Sequence, residues 1–298
     1  MADKVQEIEE IIDKYVTAGK ILSQVRSEAK DRIKVGVSLL EIAEFVENRA
    51  IELGADGSAF PCNISRNDEA AHATPLAGDT TVFGEDVIKL DLGVHVDGYI
   101  ADSAITIDLS GDYTDLVKAS EAGLEAAIDT VKNGVNTADV GAAIEDAIIS
   151  HGFKPVGNLT GHGLARYIPH APPSIPNRRM GMGVELKTGD FIAIEPFATD
   201  GVGKVVDGSL TEIFQLVGKK PVRLPAARKL LKELEQYKTL PFAKRWLKSP
   251  QLDFALMQLE RSGIIHSYPV LKEVGGGMVS QTEHTVIVTD DGCEVTTR

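Results

Sequence analysis

Apolar and polar residues alternate along this chain with two different periods. Over residues 5–33 and again over 113–132, apolar positions recur every three to four residues, which predicts amphipathic helices. A shorter helical pattern follows each of them, and the two short patterns echo one another. IKVGVSLLEIAEFVENRAIELG (33–54) aligns without gaps on VKNGVNTADVGAAIEDAIISHG (131–152). Lys34, Gly36, Val37, Glu47 and Gly54 match Lys132, Gly134, Val135, Glu145 and Gly152, and Ile42, Val46 and Ile51 fall on apolar Val140, Ile144 and Ile149. Each copy reads as a Gly turn, a capped helix and a terminal Gly. SLLE (38–41) forms a capping box in the first, and Thr137 is expected to cap the second. Strand-forming sequence follows each copy. The pattern predicts an α+β fold of two similar halves about a pseudo-twofold axis with a shared sheet. A binding site then falls between the halves, with ligands from both.

The clearest period of two lies in IKLDLGVHVDGYIADSAITIDL (88–109), a hairpin whose apolar arms are interrupted by Asp91 and Asp102. A four-residue loop from His95 to Gly98 pairs Val94 with Tyr99 and sets Asp91 directly opposite Asp102. Like charges facing each other across a sheet are destabilising, unless a cation lies between them; the alternative is a pair of exposed carboxylates on an edge strand. A cation needs further ligands, expected on strands of the second half. GHG (161–163) offers His162, DFIAIEPFA (190–198) offers Glu195 and SQTEHTVIVT (280–289) offers Glu283. Two Asp, one His and two Glu make a hard, mostly oxygen donor set. It suits two divalent first-row ions and not a structural zinc built on thiolates. His284, next to Glu283 on a strand, points to the opposite face, and His95 in the hairpin loop faces solvent.

Composition changes this picture in three ways. At 298 residues, 43% hydrophobic and 25% charged, the chain has the make-up of a soluble enzyme. The charged N-terminus, the lack of an apolar run of membrane length and two distant cysteines without a CxxC, Cys62 and Cys293, predict a cytoplasmic protein with no membrane attachment. The net charge of −13 argues against a general nucleic-acid binder, but it is unevenly spread. Residues 218–265 hold eleven Lys and Arg against four Asp and Glu, a balance of +7 that leaves −20 to the rest. This segment has proline-punctuated short helices and the only tryptophan, Trp246. It is expected to be a helical subdomain (218–265) inserted into a catalytic domain of residues 1–217 and 266–298. Its charges form either a solvated helical face or a contact with an acidic partner such as RNA.

The segments DLGVHVDGYIADSA, GHGLARYIPH, IEPFA and TEHTVIV together resemble, in order and over nearly the whole chain, the methionine aminopeptidases of the type 2 class in their short archaeal form. The resemblance implies the pita-bread fold: two pseudo-symmetric α+β halves around a central mixed antiparallel sheet, plus the helical insert that marks type 2. It implies two divalent metal ions (Co, Mn, Fe or Zn) held by Asp91, Asp102, His162, Glu195 and Glu283, with Asp102 and Glu283 bridging. NDEAAHATP (67–75) supplies His72 and YIPH supplies His170, both expected at the substrate, and Phe60 and Tyr268 match positions lining the methionine pocket. The implied activity is removal of the N-terminal methionine from peptides and nascent proteins with a small second residue, by attack of a hydroxide held between the metals. Glu195 is expected to carry the proton, and His72 and His170 to stabilise the oxyanion or orient the scissile peptide. A monomer that meets the ribosome through the basic insert is expected. The chain departs from the family twice. Pro169 stands where a bulkier apolar residue is usual, and the loop after Glu195, ATDGVGKVVDGSL, lacks the family's further histidine. Two alternatives use the same fold: a proline-directed peptidase with the same ligands, and a metal-free binding protein that would need the ligands to have decayed.

Overall fold

The computed structural model describes residues 2–298. Its first half sets two helices, Ala2–Arg32 and Leu39–Glu52, against a three-stranded sheet in which Gly57–Arg66 pairs with Val87–Val96 and that strand with Tyr99–Asp108. The second half sets helices Thr114–Thr130 and Thr137–Ser150 against a five-stranded sheet. From one edge to the other its strands are Cys293–Val295, His284–Val288, Phe191–Ile194, Thr160–Ala165 and Ile168–Pro176. The strand pairings are antiparallel. Each half buries its own apolar cluster, one around Leu22, Ile42, Ile64, Leu90 and Leu92, the other around Leu124, Ile144, Ile192, Ile194 and Val286.

The internal echo is carried into the hydrogen bonds. Gly36 N–H donates to the Phe83 carbonyl and Phe83 N–H returns to Val37; Gly134 N–H donates to Leu186 and Leu186 N–H returns to Val135. Both glycines sit at positive φ, +86° and +83°, where a side chain would strain the turn. The residue before each short helix, Ser38 or Asn136, makes an isolated bridge to the same loop, at Val82 or Glu185. One detail differs from expectation. The second helix is capped by Asn136, whose Oδ1 accepts from Ala138 N–H at 2.9 Å, while Thr137 is already helical. Asparagine is as good an N-cap as serine, so the aligned Ser38 and Asn136 do the same work.

The halves meet where strand Tyr99–Asp108 runs beside residues 281–285. Glu283 N–H donates to the Ala104 carbonyl at 2.9 Å. Hydroxyl groups complete the seam. Thr285 Oγ1 accepts from Asp102 N–H and donates to Asp102 O, both at 2.8 Å, and Ser103 Oγ donates to Glu283 O at 2.7 Å.

Residues 218–265 leave from strand Val205–Leu216 and return in strand Ile265–Glu273, which pair with each other up to Leu216 opposite Ile265. The two ends of the segment therefore lie side by side. Its helices, Pro225–Leu234 and Leu252–Arg261, bury Leu230, Leu234, Leu256 and Leu259 in a cluster shared with Phe214 and Phe242.

Candidate metal centre and substrate cavity

The hairpin carrying Asp91 and Asp102 is tighter than expected. Val96, not Val94, pairs with Tyr99, so the turn is Asp97–Gly98 alone, with both residues at positive φ (+51° and +82°). An Asp-Gly pair favours this two-residue turn because its twist matches that of the strands. The register shift removes the direct facing: Asp91 lies opposite Ala104, and Asp102 opposite Gly93. All four share one face, because the shift is an even number of residues. The two carboxylates are therefore diagonal neighbours.

Glu195 and Glu283 occupy a break in one strand pair. Phe191–Ile194 pairs with His284–Val288, ending at Ile194 opposite His284, and pairing resumes at Phe197 opposite Gln281. Glu195–Pro196 and Thr282–Glu283 lie in the gap between; the Glu195 and Glu283 side chains turn into the cavity, while Thr282 Oγ1 lies 2.9 Å from Ser120 Oγ on helix Thr114–Thr130. Proline after Glu195 lacks an N–H for the ladder. His162 comes from the next strand, opposite Ala193. Its Nδ1 lies 3.2 Å from the Gly163 carbonyl, which assigns the proton to Nδ1 and leaves the Nε2 lone pair free. Nε2 stands 3.7 Å from Asp102 Oδ2 and 3.6 Å from Glu195 Oε1.

Donor atoms of Asp102, His162 and Glu283 all fall within 4.8 Å of one another, and all three residues are buried. Asp91 Oδ1, Asp102 Oδ1 and Glu283 Oε1 are buried without a protein hydrogen-bond partner. Buried carboxylate oxygens without partners are costly, and a hard cation is what such a set accepts. The electrostatics agree. Burial pushes the Asp91 carboxyl up to about 7, against a small opposing pull from Gln281. Burial also raises Asp102, with Asp91 adding to it, and raises Glu195, with Asp91 and Asp102 adding. Glu283 is raised by burial and then by Asp102, Glu195 and Asp91, with Arg26 opposing. His162 is pushed down to about 3 by burial and by His170, so its imidazole is neutral at any ordinary pH. Four carboxylates and one neutral imidazole fit divalent ions.

All nine residues singled out by sequence line one cavity of about 300 Å³: Phe60, His72, Asp91, Asp102, His162, His170, Glu195, Tyr268 and Glu283. His72 has φ +66° and its Nδ1 lies 3.2 Å from the Pro269 carbonyl. Burial, with His170 adding, lowers its pKa to about 4. His170 packs edge-on to the His162 ring at 4.7 Å and keeps a solvent-exposed edge at the mouth. Burial of the rest of the ring lowers its pKa and favours the neutral form. Tyr268 is ringed by three imidazoles, His72 at 5.4 Å, His170 at 6.1 Å and His266 at 4.8 Å, and its hydroxyl donates to Gln215 Oε1. Phe60 lies so close over Gly93 that a Cβ there would come within 2.2 Å of its ring.

Other histidines fall away from the cavity. His284 points to the far side of its strand, as alternation predicts, with Nδ1 2.8 Å from Thr297 Oγ1. His95 is not in a solvent-facing loop. It ends up in the strand, 9% exposed, with Nδ1 accepting from Gly98 N–H.

Several contributors escaped sequence reasoning. Arg26 reaches from the first helix to Ser103 Oγ and donates from Nη2 to the Thr297 carbonyl at 2.8 Å. It thereby ties Ser103, the neighbour of Asp102 whose hydroxyl donates to Glu283 O, to the C-terminal segment. Asn63, Thr160 and Leu271 line the cavity, as does Pro241 from the basic segment. Gln281 stands beside three of the carboxylates. None of these has a sequence signal apart from its place next to a motif, since each depends on chain segments far apart in sequence.

Residues 13–290 match metallopeptidase family M24. A methionine aminopeptidase of Archaeoglobus fulgidus is 56% identical over 97% of this chain and 99% of that protein. Among solved structures, a thermophilic Arx1 aligns at TM-score 0.85 and 18% identity, over 96% of this chain and 90% of that one. A methionine aminopeptidase of Thermotoga maritima aligns at TM-score 0.71 and 23% identity, over 97% of each. The two structural likenesses speak to the fold alone.

Proposed function

The chain belongs to metallopeptidase family M24, and from that premise we propose that it is a methionine aminopeptidase, releasing N-terminal methionine from peptides and nascent proteins whose second residue is small. The observation that carries this reading is the convergence of five ligand-type side chains from both halves on the floor of one cavity walled by Phe60 and Tyr268. Asp91, Asp102, His162, Glu195 and Glu283 hold two divalent ions of the Mn, Fe, Co or Zn kind, whose charge balances the four carboxylates. When bound, such ions supply Lewis acidity toward water and toward the scissile carbonyl.

The chain's own residues do the rest. Glu195 takes a proton from the attacking water and passes it to the leaving amine. The Pro269 carbonyl holds the proton of His72 on Nδ1, so Nε2 is an acceptor, suited to the scissile N–H and not to an oxyanion. In this reading His72 takes the orienting role and His170, at the mouth, faces the oxyanion. Phe60 and Tyr268 enclose the methionine side chain.

The test is release of methionine from Met-Ala-Ser with added Mn²⁺ or Co²⁺, beside tripeptides with proline in second position. Methionine release from the first supports the reading. Cleavage restricted to the proline peptides replaces it with a proline-directed peptidase.

Residues 218–265 form a subdomain that walls the cavity and serves as a docking surface for the ribosome in the cytoplasm, with the enzyme acting as a monomer. Among the described residues, no helix is long and apolar enough to cross a membrane. The docking face is narrower than charge counting implies. Arg245 pairs with Glu47 and its side chain is only 4% exposed, while Lys244 pairs with Asp253 at 2.6 Å. The exposed cations are Lys219, Lys220, Arg223, Arg228, Lys229, Lys232, Lys238, Lys248 and Arg261, six of them on or just before helix Pro225–Leu234. Replacing Arg228, Lys229 and Lys232 with glutamine should weaken ribosome co-sedimentation at low salt and leave tripeptide turnover unchanged. Co-sedimentation equal to wild type removes the docking role.

A further inference from the structure

Gln281 is not among the five ligands, yet it stands closer to the carboxylates than any other uncharged side chain of its strand. It ends strand Val279–Gln281, opposite Phe197, and is 0% exposed. Its main chain is fixed by one hydroxyl used twice: Thr106 Oγ1 accepts from Gln281 N–H at 2.8 Å and donates to Gln281 O at 2.7 Å. From that anchored point its Nε2 reaches 3.4 Å from Asp91 Oδ2, 3.4 Å from Glu195 Oε2 and 3.4 Å from Glu283 Oε2. The three carboxylates come from three different segments, and the amide meets one oxygen of each.

The other oxygen of each carboxylate is disposed differently. Asp91 Oδ1 and Glu283 Oε1 are buried with no protein partner, and Glu195 Oε1 faces His162 Nε2 at 3.6 Å. The orientation of the amide is set by this environment, since the flipped rotamer would aim a carbonyl oxygen at three carboxylates. A primary amide nitrogen has two hydrogens, so three acceptors at equal, long distance share it.

We propose that Gln281 is the positioning residue of the ion centre. It holds one oxygen of Asp91, Glu195 and Glu283 on the protein side and leaves the opposite oxygen of each presented to the ions. The proposal rests on the ligand set given under the proposed function. The residue type follows from the task. A lysine or arginine there would neutralise the cluster and repel the ions, and a fifth carboxylate would add to the repulsion. An apolar side chain would leave three buried carboxylate oxygens without a donor. Only a neutral donor arranges the carboxylates without competing for their charge, as outer groups around metal ligands generally do.

The test compares wild type with Gln281→Met, which keeps the length and removes the donor, and Gln281→Asn, which keeps the amide and withdraws it by one methylene. Mn²⁺ dissociation constants are measured by chelator competition. Alongside go the melting temperature of the metal-free chain and kcat and KM for Met-Ala-Ser at saturating Mn²⁺. In Gln281→Met the Mn²⁺ dissociation constant is expected to rise by about 10- to 100-fold. KM should stay within about twofold, because Gln281 does not line the cavity. Gln281→Asn should fall between Gln281→Met and wild type, and it carries the test alone if the methionine variant does not fold. A folded variant whose Mn²⁺ dissociation constant matches wild type overturns the proposal. So does a large fall in metal-free melting temperature with the Mn²⁺ constant preserved, which marks a merely structural residue. Wild type titrated in parallel reports on the ligand set itself, so a failure of the ligand set and a failure of the amide are told apart.

Discussion

Asp91 and Asp102 stand diagonally across their hairpin, each opposite a residue too small to intrude, Ala104 and Gly93. The offset spaces the carboxylates without separating them, and burial raises the pKa of both. The sign of the pH effect follows. A carboxyl raised in the folded chain binds its proton more tightly there than when unfolded. Their contribution to the stability of the metal-free fold is then fully present below the ordinary carboxylate range and is lost as pH rises through about 7, the folded value of Asp91. Divalent ions offset the loss. Chelated protein is expected to melt at a lower temperature at pH 8 than at pH 5.5, and Mn²⁺ should raise the melting temperature most at pH 8. A flat profile after verified ion removal would contradict the coupling.

Glu195→Gln should retain the fold and lose turnover. The amide keeps the volume and an oxygen but has no proton to carry. A fall in kcat of about 10²- to 10⁴-fold is expected, with an unchanged circular dichroism spectrum. Turnover within about threefold of wild type would take proton transfer away from Glu195.

Gly93→Ala addresses the pocket wall. The added Cβ would lie 2.2 Å from the Phe60 ring, which must move. The expected cost is about 1–3 kcal/mol of stability, together with a raised KM for methionyl peptides. An unchanged KM would show that the position of Phe60 is immaterial to substrate binding.

Glu273 is a clamp of another kind. Its carboxylate accepts from the backbone N–H groups of Val202, Gly203, Gly275 and Gly277 at 2.6–3.1 Å and is 3% exposed. Burial raises its pKa, but the four N–H groups together outweigh it, and the net shift is downward. A depressed carboxyl stabilises the fold above its unfolded pKa and ceases to as pH falls through the folded one. Glu273→Gln should destabilise by about 1.5–3 kcal/mol at pH 7 and by less at pH 3, measured by urea unfolding. An equal loss at both pH values would exclude the charge as the cause.

Arg245 holds the basic segment to the first half. It pairs with Glu47 and also donates to Thr74 Oγ1 and the Pro75 carbonyl, while Trp246 Nε1 donates to Glu47 Oε2 at 2.8 Å. Removing one partner of a buried pair costs about 3–5 kcal/mol. Arg245→Gln should lower stability and shift the emission of Trp246, the sole tryptophan, to longer wavelength. If Glu47→Gln and the double variant cost the same as Arg245→Gln alone, the two residues act as one unit; additive costs would mean that they do not.

Much of this molecule is legible one segment at a time. Gly36 and Gly134 mark their turns, the period of the apolar residues marks the helices, and carboxylates inside apolar strands mark the candidate ligands, because each of these is a local conflict or a local rhythm. The duplicated pattern was enough to place the site between two halves. Register was also written locally, in the Asp97–Gly98 turn, but a looser turn at the same place gives a different facing of Asp91 and Asp102, and only the folded hairpin decides between them. What no single segment carries is the arrangement of residues from several segments around one point. Arg26 ties Ser103 to Thr297 far along the chain, Arg245 is spent on Glu47 and is not part of a basic face, and Gln281 gathers three carboxylates from three segments. Charge and residue type are properties of the sequence. Whether a charge faces water or a buried partner depends on which distant segment packs against it, and that is settled only when the whole chain closes.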